Sequence, residues 1–289
     1  MRLALLLASC TFSTSTANAK AALLAVYGDE TIRPGLLPST NGESTTNGES
    51  TCDTAGPDDV QVQIYIDRYR MLDQAKQSWG FDGYVRLWWV DPRLAFNAST
   101  LGCAETLKLS VSEVQRVWTP TLYWEGLAKD GVQLPRPYDS QGMLFEVRPN
   151  GSVWWSRQVS FELACPMDLA RMPYDVQTCP LVMGLYDATS DEVSLRWRAG
   201  AAPIESSTSA GIAPEGWSLP VMAEAARQIA YGGEAYSYAT AAFSFQRLPA
   251  MYLASYALPT VASVAIASCG FYIQQGATML HGPALRTVP

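Results

Sequence analysis

Histidine is nearly absent from this chain: one occurs in 289 residues, His281, close to the C-terminal end. Neither a histidine-based metal site nor a catalytic triad can be assembled from such a sequence. Charge is scarce as well. Charged residues make up 16% of the chain against 48% hydrophobic, and the acidic excess leaves a net charge of −7. That balance excludes a disordered chain and opposes binding to nucleic acid or to an anionic lipid surface. No long amphipathic helical pattern alternates with the strand-like segments, which excludes a βαβ architecture. No nucleophile–base pair stands out either, so an enzyme is not expected and no cofactor or metal is implied.

What the chain does have begins with MRLALLLASCTF, a single cationic Arg2 ahead of a short apolar core. Ala17 and Ala19 put small residues where a signal peptidase reads them. Residues 1–19 are therefore read as a secretory signal cut before Lys20, the apolar run being too short to span a bilayer. Export places the remaining cysteines in an oxidising compartment. Residues 39–51 form a polar insert containing the near-duplicate NGESTTNGEST (41–51). Cys52 follows it, and whether Cys52 pairs with Cys103 is left open by the sequence.

From there the chain alternates. Val60, Val62, Ile64 and Ile66 are separated by Gln61, Gln63 and Tyr65, which predicts a strand over 60–66 with one buried face. GYVRLWWVDPRLAF (83–96) alternates in the same way until Asp91-Pro92 breaks it. Segments 143–147 and 153–160 flank Asn150-Gly151, a strong hairpin signal. Further strand-like runs follow at 181–187, 192–197, 217–229 and 236–247. About ten short strands separated by turn signals predict a mainly β, immunoglobulin-like sandwich. One soluble helix is expected, within 66–78. Asn97-Ala98-Ser99 and Asn150-Gly151-Ser152 are glycosylation acceptors suited to exposed turns. The sandwich gives way at Leu248 to a segment without charge that lasts to Leu280. Within it, residues 251–273 are long enough to cross about 30 Å of hydrocarbon at about 1.5 Å per residue.

One stretch carries more than architecture: Cys165–Cys179, CPMDLARMPYDVQTC. A bridge between its ends would close a loop of about 15 residues and contribute roughly 3 kcal/mol. Met167 and Leu169 alternate with polar or small neighbours as in a short half-buried strand, and Pro173 forces a turn. The stretch resembles the signature of the Cys-loop receptors, the pentameric ligand-gated ion channels. Met172 stands where that signature usually has Phe or Tyr, ahead of Pro173, Tyr174 and Asp175. Trp89, Asp91, Arg93 and Leu94 match a second motif of the family. Trp118-Thr119-Pro120 matches a third, with Thr121 in place of an aspartate that usually fixes the local turn. Arg247 and Pro259 fit the start of the family's first membrane helix, and Phe271-Tyr272-Ile273 is similar to its end. The likeness covers 27–273.

The resemblance implies a Cys165–Cys179 disulfide and an extracellular ligand-binding sandwich over 27–247. It implies one membrane helix over 251–273, and assembly as a homo- or hetero-pentamer with related subunits. The family binds small agonists between subunits in a box of aromatic rings. Carried over, that box takes Tyr84 from one face and Trp124, with Tyr123 as the second choice, from the other. Tyr186 and the late-hairpin residues Tyr231, Tyr236 and Tyr238 complete it. The hairpin tip Tyr231-Gly232-Gly233-Glu234 lacks the adjacent cysteine pair of nicotinic agonist-binding subunits, which argues against acetylcholine. An amine or an amino acid is the implied ligand class; a carboxylate would call on Arg86 or Arg157. Asp175 and Arg247 are expected to meet at the membrane boundary and couple the sandwich to the helix. The tail 274–289 contains no pore-lining segment. The reading is thus a receptor-channel subunit, truncated after its first membrane helix and not conducting alone. The alternative is a membrane-tethered module that captures ligand or inhibits assembly.

Overall fold

The structure, a computed structural model, describes residues 15–36, 56–70, 72–98, 105–132, 142–207 and 213–280. The polar insert, Cys52, Cys103, His281 and most of the tail lie outside them. The described residues form twelve strands, most of them in the alternating runs, because alternation lets each strand bury one side chain in two. The larger sheet has eight strands. Its central order is β10 (Ile204–Ser206), β1 (Asp58–Tyr69), β2 (Ser78–Val90), β7 (Ser152–Ala164), β6 (Met143–Val147) and β3 (Leu107–Lys108). β9 (Val193–Trp197) also pairs with β1, and β5 (Leu127–Val132) with β7. The smaller sheet has four strands in the order β11 (Val221–Tyr231), β12 (Glu234–Gln246), β8 (Val176–Leu185) and β4 (Leu122–Trp124).

The two sheets face each other across one core. From the larger sheet come Val60, Val62, Ile64, Ile66, Trp79, Phe81, Leu87 and Phe161; from the smaller come Leu181, Met183, Phe243 and Phe245. Trp79 joins the layers, with ring centroids 4.5 Å from Phe243 and 5.8 Å from Phe81. The chain is a mainly β sandwich followed by a long apolar helix, the class expected from its patterning.

Two local expectations give way. Among the described residues no helix lies within 66–78: β1 continues to Tyr69, Leu72 is buried, and Asp73 bridges to Ser78. Asp73 accepts from the backbone N–H of Ala75 and Lys76, and its own backbone exchanges two hydrogen bonds with Ser78, which closes a turn where a helix would have to continue. Helix appears instead at α1 (Ser15–Val26), across the expected signal cleavage point, and in one turn at α2 (Val111–Val114). Residues beyond that point are packed, with Leu24 and Tyr27 buried in the core. Nor is there a strand at residues 166–170: Met167 is buried while Leu169 is exposed, which a period of two would not give.

The Trp-x-Asp-x-Arg motif has a structural role. Asp91 is wholly buried at the end of β2 and accepts from Tyr27 Oη at 2.6 Å and from Arg93 Nε and Nη2 at 2.9 and 2.8 Å. Burial, then the bond to Asp91, raises the Tyr27 phenol well above its usual range. Tyr27 Oη in turn accepts from the backbone N–H of Trp118, holding the turn that lacks the usual aspartate. Gly151, with φ +80°, closes the neighbouring hairpin; a Cβ there would sit 2.4 Å from the Asp91 carbonyl oxygen.

After Gln246 the chain enters helix at Pro249 and remains helical to Leu280. Pro249–Tyr252 (α3) and Leu258–Leu280 (α4) are joined by a π-helical turn at Leu253–Ala257, just before Pro259. Residues Pro249–Phe271 are long and apolar enough to cross a membrane. Thr260 Oγ1 donates to the Tyr256 carbonyl and Ser263 Oγ to that of Pro259, so these hydroxyls are satisfied within the helix.

Candidate ligand-binding site

Adjacent residues of a strand point to opposite faces, and this decides which aromatics can meet. In the smaller sheet Tyr123 pairs with Gly184, and Gly184 with Tyr238, so the three share one row on the face turned from the core. Tyr123 is exposed and its ring lies 6.1 Å from that of Tyr186, which is 75% exposed just past β8. Tyr238 is buried beneath this pair because its ring lies across Gly184; a Cβ at position 184 would come within 2.7 Å of it. Tyr236 shares the face of Tyr238 and donates to Glu234 Oε2 at 3.0 Å, which raises its phenol above the usual range. Tyr231 and Glu234 close the hairpin around Gly232 and Gly233, both with positive φ, the signature of a primed two-residue turn. Ser190 N–H donates to the Ala235 carbonyl and ties the Tyr186 loop to this hairpin.

Trp124 does not join them. As Tyr123's neighbour it turns inward and packs on Phe161 at 4.3 Å, at the edge of a 290 Å³ cleft between the sheets. Tyr123 is the outward residue of the pair, the reverse of the order of preference drawn from the motif.

The larger sheet carries the other face. Glu205, Tyr65, Tyr84 and Gln158 pair in succession across β10, β1, β2 and β7, forming a row turned from the core. The Tyr65 and Tyr84 rings are 6.3 Å apart. Arg86, two residues along from Tyr84 on the same face, lays its guanidinium 4.5 Å from the Tyr65 ring centroid. Arg157 lies elsewhere: paired with Val85, it points to the core side and lines the cleft beside Trp124. Burial lowers its pKa. Arg86 and Arg157 therefore cannot serve one carboxylate. Tyr65 and Glu205 escaped the sequence reading, although an aromatic at a polar position of an alternating strand is a usable signal.

Cys165 and Cys179 form a disulfide that joins the end of β7 to β8, one strand from each sheet. Around it the sequence matches the model of the neurotransmitter-gated ion-channel ligand binding domain over residues 49–249. The chain belongs to that family. A bovine relative, gamma-aminobutyric acid receptor subunit alpha-2, is 24% identical over 253 residues, 86% of this chain and 49% of the relative. A gamma-aminobutyric acid receptor alpha-like protein of Drosophila melanogaster is 32% identical over 51% of this chain and 21% of its own length. The glutamate-gated chloride channel of the same fly is 31% identical over 51% of this chain and 31% of its own. The chain thus spans at most about half the length of these curated relatives.

In this Cys-loop receptor chain the loop closed by the disulfide meets the start of the helix through one buried pair. Arg247 donates from Nε and Nη2 to the two oxygens of Asp175 at 2.6 and 2.9 Å, and both side chains are almost wholly buried. Gln177 Nε2 donates to Asp175 as well, at 2.6 Å. The guanidinium lies 4.1 Å from the Trp217 ring centroid. Burial works to raise the Asp175 pKa; the hydrogen bonds from Arg247 and Gln177 overcome it and hold the carboxyl below its usual range. A 510 Å³ cleft opens beside the pair, between Gln74, Met172, Trp217 and Tyr252.

Proposed function

We propose that this chain is the agonist-binding part of a pentameric ligand-gated receptor subunit, with its sandwich outside the cell and the Pro249–Phe271 helix in the membrane. The agonist is a small neurotransmitter-type molecule bearing an amine, held between neighbouring subunits. The observation that carries the reading is the division of the aromatics. Tyr123, Tyr186, Tyr236 and Tyr238 gather on the outer face of the smaller sheet, while Tyr65 and Tyr84 share the outer face of the larger one. One subunit then holds two half-sites that face away from each other, and each needs a neighbour. Ring faces carry negative potential, so a bound ammonium gains about 0.5–2 kcal/mol per ring. Names among the relatives, gamma-aminobutyric acid and glutamate, supply amine-bearing examples. The Asp175–Arg247 pair would pass a shift of the sandwich to the helix.

The test uses the full chain in lipid nanodiscs, separated into monomeric and assembled fractions and titrated with amines and amino acids by calorimetry. Assembled protein should bind and monomer should not. Tyr186→Ala and Tyr84→Ala should each weaken binding by about 1–3 kcal/mol. Equal binding by both fractions, or indifference to both substitutions, would show that the agonist does not sit between these faces.

A further inference from the structure

We propose that the site takes a small cationic amine without a carboxylate, and that Glu205 sets this preference by occupying Arg86. The inference rests on the reading above that the Tyr84 face forms one half of the site. An amino-acid agonist needs a cation for its carboxylate, and on this face the guanidinium groups near Tyr84 are those of Arg86 and of Arg68, the latter held by Asp82 through Nε and Nη2.

The availability of Arg86 can be read from its nitrogens. A guanidinium meets a carboxylate through two adjacent N–H groups, using either the Nε edge or the edge between its two terminal nitrogens. The Nε of Arg86 is buried without a hydrogen-bond partner, so the first edge is closed to a ligand. Nη1 already donates to Gln63 Oε1 at 3.2 Å and to Glu205 Oε2 at 3.2 Å, so the second edge is half used. The central carbon of the group lies over the Tyr65 ring. Neither edge is left for two parallel bonds to a ligand.

Glu205 does more than fill a donor. The parallel register of β10 on β1 puts it directly beside Tyr65, in the row that continues to Tyr84. Its carboxylate is 39% exposed, so an arriving carboxylate would meet like charge and an arriving ammonium would meet opposite charge. An acid next to two tyrosine rings is the composition of a cation site. The opposite half agrees in sign: Tyr236 is bonded to Glu234, and Glu192 adds to the negative field at its hydroxyl. Arg227, the register partner of Tyr238 on edge strand β11, is the cation on that half that could still receive a carboxylate.

The experiment measures matched pairs on the assembled chain in nanodiscs: 4-aminobutanamide against 4-aminobutanoate, and tyramine against tyrosine. In each pair that binds, the member without a carboxylate should bind about tenfold or more tightly. In Glu205→Gln the gap should shrink to about threefold or less, chiefly through stronger binding of the amino acid. An amino acid that binds as tightly as its partner or more so, with binding still lost in Tyr186→Ala, would overturn this inference and leave the site in place. A wild-type gap that persists in Glu205→Gln would remove Glu205 from the explanation. Absence of binding by all four compounds would overturn the site itself. If Glu205→Gln does not assemble, the wild-type pairs alone decide the ligand class.

Discussion

Asp175 concentrates several roles in one side chain. It is buried, it neutralises Arg247, and its backbone carbonyl accepts from the Arg247 N–H at 3.1 Å, so the pair is held by backbone as well as side chain. Removing one partner of a buried pair strands the other charge, and Asp175→Ala should lose about 3–5 kcal/mol in denaturant unfolding. The pH dependence has a definite sign. The folded-state pKa of Asp175 lies below the unfolded value, so its contribution is complete above the ordinary carboxylate range of about pH 4 and is lost as pH falls through the folded value. The stability gap between wild type and Asp175→Asn should therefore be full at neutral pH and close on acidification below about pH 4. A gap that does not vary with pH would mean that the ion pair contributes nothing beyond packing. A second residue, Gly184, makes the opposite kind of demand. Tyr238 lies against its Cα, and Gly184→Ala should push that ring outward, weakening agonist binding more than it lowers the melting temperature.

At the scale of elements, the disulfide loop joins a strand of each sheet and presents Met172 to the cleft beside the helix. Losing such a bridge from a secreted domain costs about 2–5 kcal/mol, so Cys165→Ser should abolish export, read as loss of the chain from the cell surface. Surface expression at the wild-type level would show the loop to be dispensable. Much at this scale was legible in the sequence. Strict alternation placed β1, β2, β7 and β12, since each buries one face against the other sheet. Proline and glycine marked where strands end. What escaped depends on pairing across strands. The period of two in the strand Leu122–Trp124 forbids Tyr123 and Trp124 from facing one ligand. Which of them turns outward is fixed only when β4 docks on β8. Arg157 was misplaced for the same reason, because its face follows from its register with Val85. The helix expected within 66–78 gives way to a turn that composition does not reveal, closed by the backbone pair of Asp73 and Ser78.

The whole molecule has two ends. β2 begins near the disulfide, where Cys165 N–H donates to the Gln77 carbonyl, and Gln74 lines the same cleft as Arg247 and the start of the helix. Its thirteen residues end at Val90, beside the Asn150-Gly151 turn, where Asp91 N–H donates to the Gly151 carbonyl. At about 3.3 Å per residue the two ends are roughly 40 Å apart. Asn97 and Asn150 are both exposed, and the Phe96 N–H donates to the Pro149 carbonyl at 3.0 Å, so both acceptors sit at the end far from the helix. Glycans there would meet neither the membrane nor the Asp175–Arg247 contact. If the sandwich is exported and the helix spans the bilayer, both asparagines should carry glycans. Enzymatic deglycosylation should then shift the chain by two sugar units, and Asn97→Gln and Asn150→Gln should each remove one. In sealed microsomes the sandwich should resist added protease until detergent is present, because the lumen is continuous in topology with the exterior. An unglycosylated sandwich that is cut without detergent would place it on the cytosolic side, and there it could meet no extracellular agonist.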